Sequence, residues 1–368
     1  MDAKRAAEDA RRIVTGLDLD ERIRLLSGRD AWHLEGVPEA GLAPLHVTDG
    51  PHGVRRKRDG AGEAMLGDAE PATCFPTAVT LGATWDEALL GEVGAALGAE
   101  AAAKDVAVLL GPGLNLKRHP AGGRNFEYLS EDPLLAGRLA AALVRGIQGQ
   151  GVGACLKHLA ANHQEHHRMS VDTVVDERTL RELELAGFEH AVAGGAPWTV
   201  MHAYNRLNGV FCGEHRWLLT EVLREQWGFD GLVMSDWGAT SDRAAGIAAG
   251  SDLEMPGSNG AFDDEVRAAL AEGRLSADDV ARSATRVVAL RSTSAAESRP
   301  SATAWRTSPS KVPLLPGISR SHPAAIPAAR SLVAPQSDST RPSKPHCSRS
   351  TSVSSQRCSP QKTPLRRL

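Results

Sequence analysis

The sequence predicts an α/β protein, a closed (β/α)8 barrel of the TIM type in residues 1–291, followed by a disordered tail. Between about residue 45 and residue 256, short apolar runs alternate with helical stretches, which is the rhythm of parallel βα units. Eight such runs occur, the number of strands that a barrel of this type needs. Polar residues follow several runs directly, and barrel enzymes gather their chemistry at the carboxyl ends of the strands.

The eight candidate strands are apolar runs that end at or before polar residues. They are Leu45–Thr48, Val79–Ala83, Val106–Leu110, Gly153–Leu156, Thr173–Val175, Thr199–Ala203, Leu232–Ser235 and Asp252–Met255. Apolar residues three and four positions apart predict the helices, which are Asp86–Lys104, Pro133–Gln148, Asp176–Ala193, Glu214–Trp227, Phe262–Glu272 and Ala277–Arg291. An open doubly wound sheet is the competing architecture, and the placement of the polar residues favours the barrel.

Residues 292–368 differ in composition from the rest of the chain. They hold 12 Lys and Arg against 2 Asp and Glu, about +10, so the total of −3 leaves −3 − 10 = −13 for residues 1–291. This segment also holds 18 Ser and 11 Pro and has too few apolar residues to offset the entropy of ordering, which predicts disorder. We expect that the reading frame changed near Arg291. Translation of the DNA in the other two frames should then give an apolar-periodic continuation.

Several classes of protein are disfavoured by the composition. The N-terminus is charged from its second residue and no run of 18 apolar residues occurs, so we expect a soluble cytoplasmic protein without a membrane segment. Five cysteines without paired spacing argue against a disulfide scaffold and a zinc site. The predicted domain has no basic patch with interleaved aromatic residues, so nucleic acid is not an expected partner.

The segment GLVMSDWGA places a carboxylate where a predicted strand opens into a loop. Asp236 could simply cap the helix that follows Thr240. The neighbouring Trp237 favours another interpretation, because aromatic rings pack against the apolar face of sugars. An acid beside a tryptophan at a barrel mouth is suited to glycosyl transfer.

Two loops offer further polar groups to the same mouth. In LHVTDGPHGVR, Asp49 lies in a tight turn, and a carboxylate fixed in this way could hold two adjacent sugar hydroxyls. The long loop GPGLNLKRHPAGGRNFEYLSEDP has almost no regular pattern, and loops of this length are usually functional or disordered. Arg124 is its candidate anchoring group, although a solvated surface arginine is the alternative.

A cluster of cations follows the predicted strand at residue 153. Lys157 and His158 stand at the strand end, and three further histidines and Arg168 come after them. We predict that these groups donate hydrogen bonds to hydroxyls and that no metal or other cofactor is bound, because no H-E-x-x-H pattern is present. At the next strand end, Met201 is a core or site residue, and Tyr204 is placed to orient a carboxylate.

From about Leu17 to Arg291 the sequence resembles glycoside hydrolase family 3. The resemblance rests on seven ordered segments, which are LDLDERIRLLSGRDAWHLEG, VTDGPHGVR, FPTAVTLGATWD, GPGLNLKRHPAGGRNFEYLSEDP, KHLAANHQEHHR, MHAYNRLNG and GFDGLVMSDW. The pattern K-H-x-x-A-N-x-Q-E is similar to the β-glucosidase branch and differs from the N-acetylhexosaminidase branch, whose loop carries a catalytic His–Asp pair.

The resemblance implies a (β/α) barrel domain in which Asp236 attacks the anomeric carbon and becomes glycosylated. It also implies a subsite for the terminal sugar. Five residues would hold the sugar hydroxyls, namely Asp49, Arg124, Lys157, His158 and Arg168. Three others would complete the wall, namely Met201, Tyr204 and Trp237.

Retaining hydrolysis of terminal β-D-glucosyl residues is therefore the expected activity, with a β-glycoside or oligosaccharide as substrate. β-Xylosidase, arabinopyranosidase and a catalytically inactive sugar-binding fragment are the alternatives. In similar β-glucosidases the acid/base Glu comes from a second domain after the barrel. The tail stands where that domain would begin, so we expect impaired activity.

Overall fold

A computed structural model describes residues 3–58 and 69–293 of the chain. All described residues belong to one compact unit. The predicted tail lies outside the described residues, apart from its first two positions, which continue the last helix as far as Thr293.

A six-stranded sheet with the spatial order β1-β2-β3-β4-β6-β9 forms the centre of the domain. Its strands are β1 (His33–Leu34), β2 (Leu45–Asp49), β3 (Val108–Leu110), β4 (Gly153–Leu159), β6 (Thr199–His202) and β9 (Leu232–Ser235). All pairs are parallel except the antiparallel pair of β1 and β2. Every residue of β3, β4, β6 and β9 is buried, as expected for parallel strands that helices cover.

Short backbone bridges close this sheet into a ring. They pair Met234 with Leu253, Ser27 with Glu254, and Gly28 with Leu34. Residues 253–254 and 27–28 thus fill the gap between β9 and β1, and the barrel is completed without two further regular strands. In the described part of the chain, this closure leaves the six-stranded sheet without an open edge.

Two glycines allow the backbones to meet where the ring closes. A Cβ on Gly257, whose φ is +105°, would lie 2.0 Å from the carbonyl oxygen of Gly28, and a Cβ on Gly28 would lie 2.6 Å from that of Pro256. Neither site has room for a side chain.

The helices cover the outside of the barrel. They are α1 (Ala3–Gly16), α2 (Leu19–Arg24), α3 (Ala78–Gly82), α4 (Glu87–Ala103), α5 (Pro133–Gln148), α6 (Glu177–Thr179), α7 (Ala186–Gly195), α8 (Arg243–Ala249), α9 (Ala261–Ala271) and α10 (Ala277–Thr293). Wider π-helical turns form Leu180–Leu185, which joins α6 to α7, and Trp217–Gln226. Five aspartates among the described residues cap helices with their side chains, namely Asp18, Asp86, Asp132, Asp176 and Asp242. None of the described helices is both long enough and apolar enough to span a bilayer.

The α/β fold class is confirmed, and three of the eight predicted strands differ from the structure. Val79–Ala83 was predicted as a strand, but Ala78–Gly82 is a helix whose buried residues Ala78, Leu81 and Gly82 have helical spacing. Thr173 belongs to β5 (Asp172–Thr173), which pairs with β7 (Arg206–Leu207) in a separate small sheet. The other neighbour of β7 in that sheet is β8 (Val210–Phe211). Asp252–Met255 takes a place in the ring through bridges only.

A fully buried carboxylate joins the last helix to the barrel. Asp252 Oδ2 accepts hydrogen bonds from Arg224 at 2.7 Å and from the Val233 amide at 2.9 Å. Asp252 Oδ1 accepts from Arg286 at 2.9 Å and from the Ser283 hydroxyl at 3.0 Å. Both helical partners on α10 therefore depend on one side chain of the barrel.

We expect Asp252→Ala to lower the free energy of unfolding by about 3–5 kcal/mol, because it leaves buried arginine charge without its partner. Urea unfolding measures this loss. Asp264→Ala is the matched control, since Asp264 is 84% exposed in its pair with Arg267 and should change stability by less than about 0.5 kcal/mol. Equal losses in the two variants would contradict the assignment.

Candidate active site

A cavity of about 440 Å³ opens at the carboxyl ends of the barrel strands. All nine site residues predicted from the sequence line it, namely Asp49, Arg124, Lys157, His158, Arg168, Met201, Tyr204, Asp236 and Trp237. The structure thus brings together side chains that are up to 188 positions apart in sequence, from 49 to 237. Their individual roles stay predictions.

Asp236 follows β9 directly and is 8% exposed. Its Oδ1 accepts a hydrogen bond from the Trp237 amide at 2.8 Å, whereas its Oδ2 is buried and has no hydrogen-bond partner among the described residues. Burial raises the pKa of Asp236, and the Trp237 amide and the charge of Arg124 oppose the increase. The carboxylate is held at one oxygen and open at the other.

The helix-capping alternative for Asp236 does not apply. The next helix, α8, is capped by Asp242, whose side chain accepts from the Ala245 amide. Asp236 lies outside that helix and faces the cavity.

His158 is a neutral imidazole beside this carboxylate. Burial lowers its pKa well below the usual value, and the charges of Arg124 and Lys157 lower it further. Arg124, which can only donate, lies 2.9 Å from His158 Nε2, so we infer that Nε2 is the acceptor and that Nδ1 carries the proton. Nδ1 lies 3.4 Å from the side-chain oxygen of Asn115, which is consistent with this tautomer.

The tautomer explains why the second oxygen of Asp236 is unpaired. His158 Nε2 lies 3.4 Å from Asp236 Oδ2. Because Nε2 carries no proton, this contact brings two hydrogen-bond acceptors together. It is therefore neither an ion pair nor a hydrogen bond.

Two further carboxylates line the cavity and are paired with cations. Asp49 lies 3.2 Å from Lys157 Nζ and 2.9 Å from the Arg55 guanidinium. Burial would raise the pKa of Asp49, but the charges of Lys157 and Arg55 outweigh burial and the pKa is lowered. Glu127 pairs with Arg124 and lies 4.0 Å from Lys157 Nζ.

A bulge in β4 lets two successive residues face the cavity. Side chains normally alternate between the two faces of a strand. The pairing of β4 with β6 shifts between Lys157 and Leu159, and such irregularities redirect side chains. Lys157 and His158 therefore both reach the cavity, although they are adjacent in sequence.

Aromatic residues form the remaining wall. The Trp32 and Trp237 rings lie 5.6 Å apart, and Trp237 Nε1 donates to the Ala31 carbonyl at 2.8 Å. The Tyr204 hydroxyl donates to the Trp237 carbonyl at 2.8 Å, and the Arg168 guanidinium stacks 4.4 Å from the centre of the Tyr204 ring. Tyr204 thus supports the backbone next to Asp236.

The positions of Met201 and Arg124 decide between the alternatives that the sequence left open for each residue. Met201 is 1% exposed and contributes both to the core and to the cavity wall. The Arg124 side chain is 18% exposed and bonded to its neighbours, so it is not a solvated surface arginine.

Several lining residues were missed by the sequence analysis. They are Trp32, His52, Arg55, Phe126 and Glu127. Arg55 and His52 lie in the loop that carries Asp49, and Phe126 and Glu127 closely follow Arg124. Sequence proximity could have suggested them, but which carboxylate pairs with which cation depends on the folded loops.

The described residues contain no group of three or more histidine, cysteine or acidic residues that could hold a metal ion. Of the clustered histidines, His163 Nδ1 faces Glu184 at 3.6 Å, and the His166 and His167 rings contact each other 4.0 Å apart.

The chain that forms this cavity is similar to known proteins of one family. The model of the glycosyl hydrolase family 3 N-terminal domain matches residues 60–290. The chain is 52% identical over 282 residues to thermostable β-glucosidase B of Acetivibrio thermocellus, covering 77% of this chain and 37% of that protein. It is 51% identical over 261 residues to the exo-α-(1→6)-L-arabinopyranosidase of Bifidobacterium longum, covering 71% and 34%. The chain thus spans little more than a third of the length of these relatives.

Solved structures show the same similarity. Thermotoga neapolitana β-glucosidase 3B in complex with α-D-glucose is 40% identical with a TM-score of 0.74, covering 79% of this chain and 43% of that one. The Bifidobacterium adolescentis β-glucosidase of the same family is 46% identical with a TM-score of 0.73, covering 78% and 41%.

Two carboxylates of the cavity, Asp236 and Asp49, should affect stability with opposite sign. Because the pKa of Asp236 is raised in the folded protein, its ionisation at neutral pH opposes folding. We expect Asp236→Asn to raise the free energy of unfolding at pH 7 by roughly 0.5–2 kcal/mol. The gain should disappear as the pH falls through the raised pKa towards the ordinary value of 3.8. Urea unfolding across pH measures it.

Asp49→Asn is the matched comparison. The pKa of Asp49 is lowered, so its charge stabilises the fold above 3.8 and the substitution should cost roughly 1 kcal/mol at pH 7 after solvent screening. This cost should fade as the pH falls through the lowered pKa. Changes of the same sign in both variants at pH 7 would refute the electrostatic description.

Proposed function

Because the chain belongs to glycosyl hydrolase family 3, we propose that its barrel is the nucleophile-bearing domain of a retaining β-glycosidase. The proposed substrate is a terminal non-reducing β-D-glucosyl residue, and Asp236 is the nucleophile. The observation that carries the proposal is the unpaired Oδ2 of Asp236 inside the cavity. Structural acidic residues in buried positions are normally fully hydrogen-bonded.

The geometry suits a displacement at the anomeric carbon. The Trp237 amide fixes Oδ1, so Oδ2 can form the bond to the carbon while the bond to the leaving oxygen breaks. A water molecule then attacks the same carbon and releases Asp236 as a carboxylate. Holding the nucleophile in place before binding lowers the entropic part of the barrier.

The rest of the cavity fits an uncharged polyol. Lys157 and Arg124 can donate to hydroxyl oxygens, and Asp49 can accept from hydroxyl hydrogens. The tilted pair of Trp32 and Trp237 offers an apolar surface for the faces of a sugar ring.

The retaining mechanism also needs an acid that protonates the leaving oxygen, about 5–5.5 Å from the nucleophile. Among the described residues, the other carboxylates that line the cavity are Asp49 and Glu127. Both already pair with cations, and the charges of Lys157 and Arg55 lower the pKa of Asp49, which disfavours proton donation by that residue. We therefore propose that the described part of the chain supplies the nucleophile and the hydroxyl contacts but not the acid.

Arabinopyranoside hydrolysis is the second candidate. It is favoured by similarity to the Bifidobacterium arabinopyranosidases. Initial rates on nitrophenyl β-D-glucoside, β-D-xyloside and α-L-arabinopyranoside distinguish the candidates, with the glucoside expected to react fastest.

Covalent trapping tests the nucleophile. Dinitrophenyl 2-deoxy-2-fluoro-β-D-glucoside should add one fluoroglucosyl group to Asp236, because its leaving group departs without protonation and the intermediate hydrolyses slowly. Intact-mass measurement followed by peptide mapping locates the adduct. Asp236→Asn is the control and should stay unlabelled. A wild-type protein that binds the compound without a mass shift would instead be an inactive sugar-binding module.

The dependence of the rate on the leaving group tests the proposal that the described residues do not supply the acid. Relative to a full-length β-glucosidase, the chain should be slower on an alkyl β-glucoside by roughly 10²–10⁴-fold, the usual contribution of general acid catalysis. The deficit on a nitrophenyl β-glucoside should be much smaller. Rates of both substrates on both enzymes measure the difference. The same deficit for both substrates would show that the loss lies elsewhere.

A further inference from the structure

Two arginines that line the cavity share a carboxylate behind its wall. Glu165 Oε2 lies 2.9 Å from the Arg168 guanidinium, and Glu165 Oε1 lies 3.8 Å from that of Arg124. The Glu165 side chain is 24% exposed and is not among the residues that line the cavity. It therefore does not touch a substrate in the cavity, but it contacts two arginines that do line it.

The first arginine, Arg168, is connected to Asp236 through aromatic residues of the cavity wall. Arg168 stacks on the Tyr204 ring, and the Tyr204 hydroxyl holds the Trp237 carbonyl. The amide of the same residue, Trp237, donates to Asp236 Oδ1. Glu165 is the carboxylate that pairs with Arg168 among the described residues.

The second arginine, Arg124, is connected to Asp236 through His158. Arg124 donates from Nη2 to His158 Nε2, its Nε pairs with Glu127, and its Nη1 faces Glu165. The planar guanidinium is thus bounded by carboxylates on two edges, which leaves the third for the imidazole. A guanidinium fixed in this way has little rotational freedom.

We propose that Glu165 is a positioning residue of the glycosyl transfer, holding Arg168 and Arg124 in the arrangement that fixes the orientation and the charge of Asp236. This inference rests on the proposed role of Asp236 as nucleophile. The Glu165 carboxylate never touches the sugar. Its contribution is to keep two cations facing the nucleophile from separate loops.

The charges that face Asp236 come from every element around it. Arg124 approaches from the long loop, Lys157 from β4, and Arg168 from the loop after β4, and all three lower the pKa of Asp236 against the larger effect of burial. His158 is neutral, and Tyr204 has its pKa raised by burial and by the charge of Asp236. If Arg168 turns away, the ionised form of Asp236 loses one of three stabilising cations.

The test is Glu165→Gln, which keeps the size of the side chain and removes its charge. We expect the rate constant for labelling by the fluoroglucoside to fall by roughly 10²-fold, as for a small misplacement of reacting groups, while the fraction of protein finally labelled stays complete. In a plot of the labelling rate constant against pH, the acidic limb should move to higher pH. Glu165→Asp, which restores the charge on a shorter side chain, should recover part of the rate.

Glu182→Gln is the matched control. Glu182 also pairs with an arginine nearby in sequence, Arg178, but this pair is exposed, with side chains 61% and 82% accessible. The rate constant and the pH limb should match those of the wild type. Thermal unfolding of all variants reports any loss of stability.

Two outcomes would overturn the proposal. A lower labelled fraction with an unchanged rate constant would mean that Glu165 only supports the fold. A limb that moves to lower pH would mean that Glu165 acts through its own negative charge, with the arginines staying in place. A carboxyl-carbon NMR titration of Asp236 follows the same shift without turnover, so the positioning role is tested even if the wild type is not labelled. Absence of labelling in the wild type would count against the proposed function alone.

Discussion

The structure around the cavity depends on one constraint, the burial of a carboxylate that must keep one oxygen free. Asp236 is 8% exposed and its Oδ2 makes no hydrogen bond with the described residues. Leaving a charged group in this state is costly. The neighbouring side chains limit the cost without occupying the oxygen, because Arg124 directs its donor to His158 and Lys157 directs its own to Asp49. The nearby positive charges therefore stabilise the Asp236 carboxylate without pairing directly with its Oδ2.

Neutrality of His158 is central to this arrangement. A protonated imidazole would donate to Asp236 Oδ2 across the 3.4 Å contact and would pair with the oxygen that the proposed reaction needs. Burial and the neighbouring cations prevent this by lowering the pKa of His158. The backbone of the same residue is held through its amide, which donates to Asn115 Oδ1 at 2.8 Å. The imidazole is thereby a rigid acceptor that orients Arg124.

The sequence predicted the strands that carry the chemistry better than those that complete the ring. The runs at Leu45, Gly153, Thr199 and Leu232 are continuous, apolar and bounded by polar residues, and each is a strand. The run at Val79 has the same composition but is a helix, because five residues are too few to distinguish the two periods. Closure through the bridges at Leu253 and Ser27 depends on distant backbones and has no local signature.

The sequence predicted which residues form the candidate site but not how their side chains pair with one another. Asp49 ends β2, Lys157 lies near the end of β4 and Asp236 follows β9, so parallel topology alone brings them to one end of the barrel. The pairing of Glu127 with Arg124 and of Glu165 with Arg168 depends on loop conformation. The tautomer of His158 depends on burial and on two neighbours from other segments. These features emerge only from three-dimensional packing.

The cavity and its supporting residues are balanced in formal charge. The cations are Arg55, Arg124, Lys157 and Arg168, and the carboxylates are Asp49, Glu127, Glu165 and Asp236. With the imidazole of His158 uncharged, these eight side chains sum to zero. A uronic acid or an amino sugar would introduce a charge that this set leaves uncompensated, and it would lose its own hydration on entry. Under the proposed function, the charge balance of the cavity together with Glu165 would disfavour ionised sugar derivatives relative to plain hexoses and pentoses.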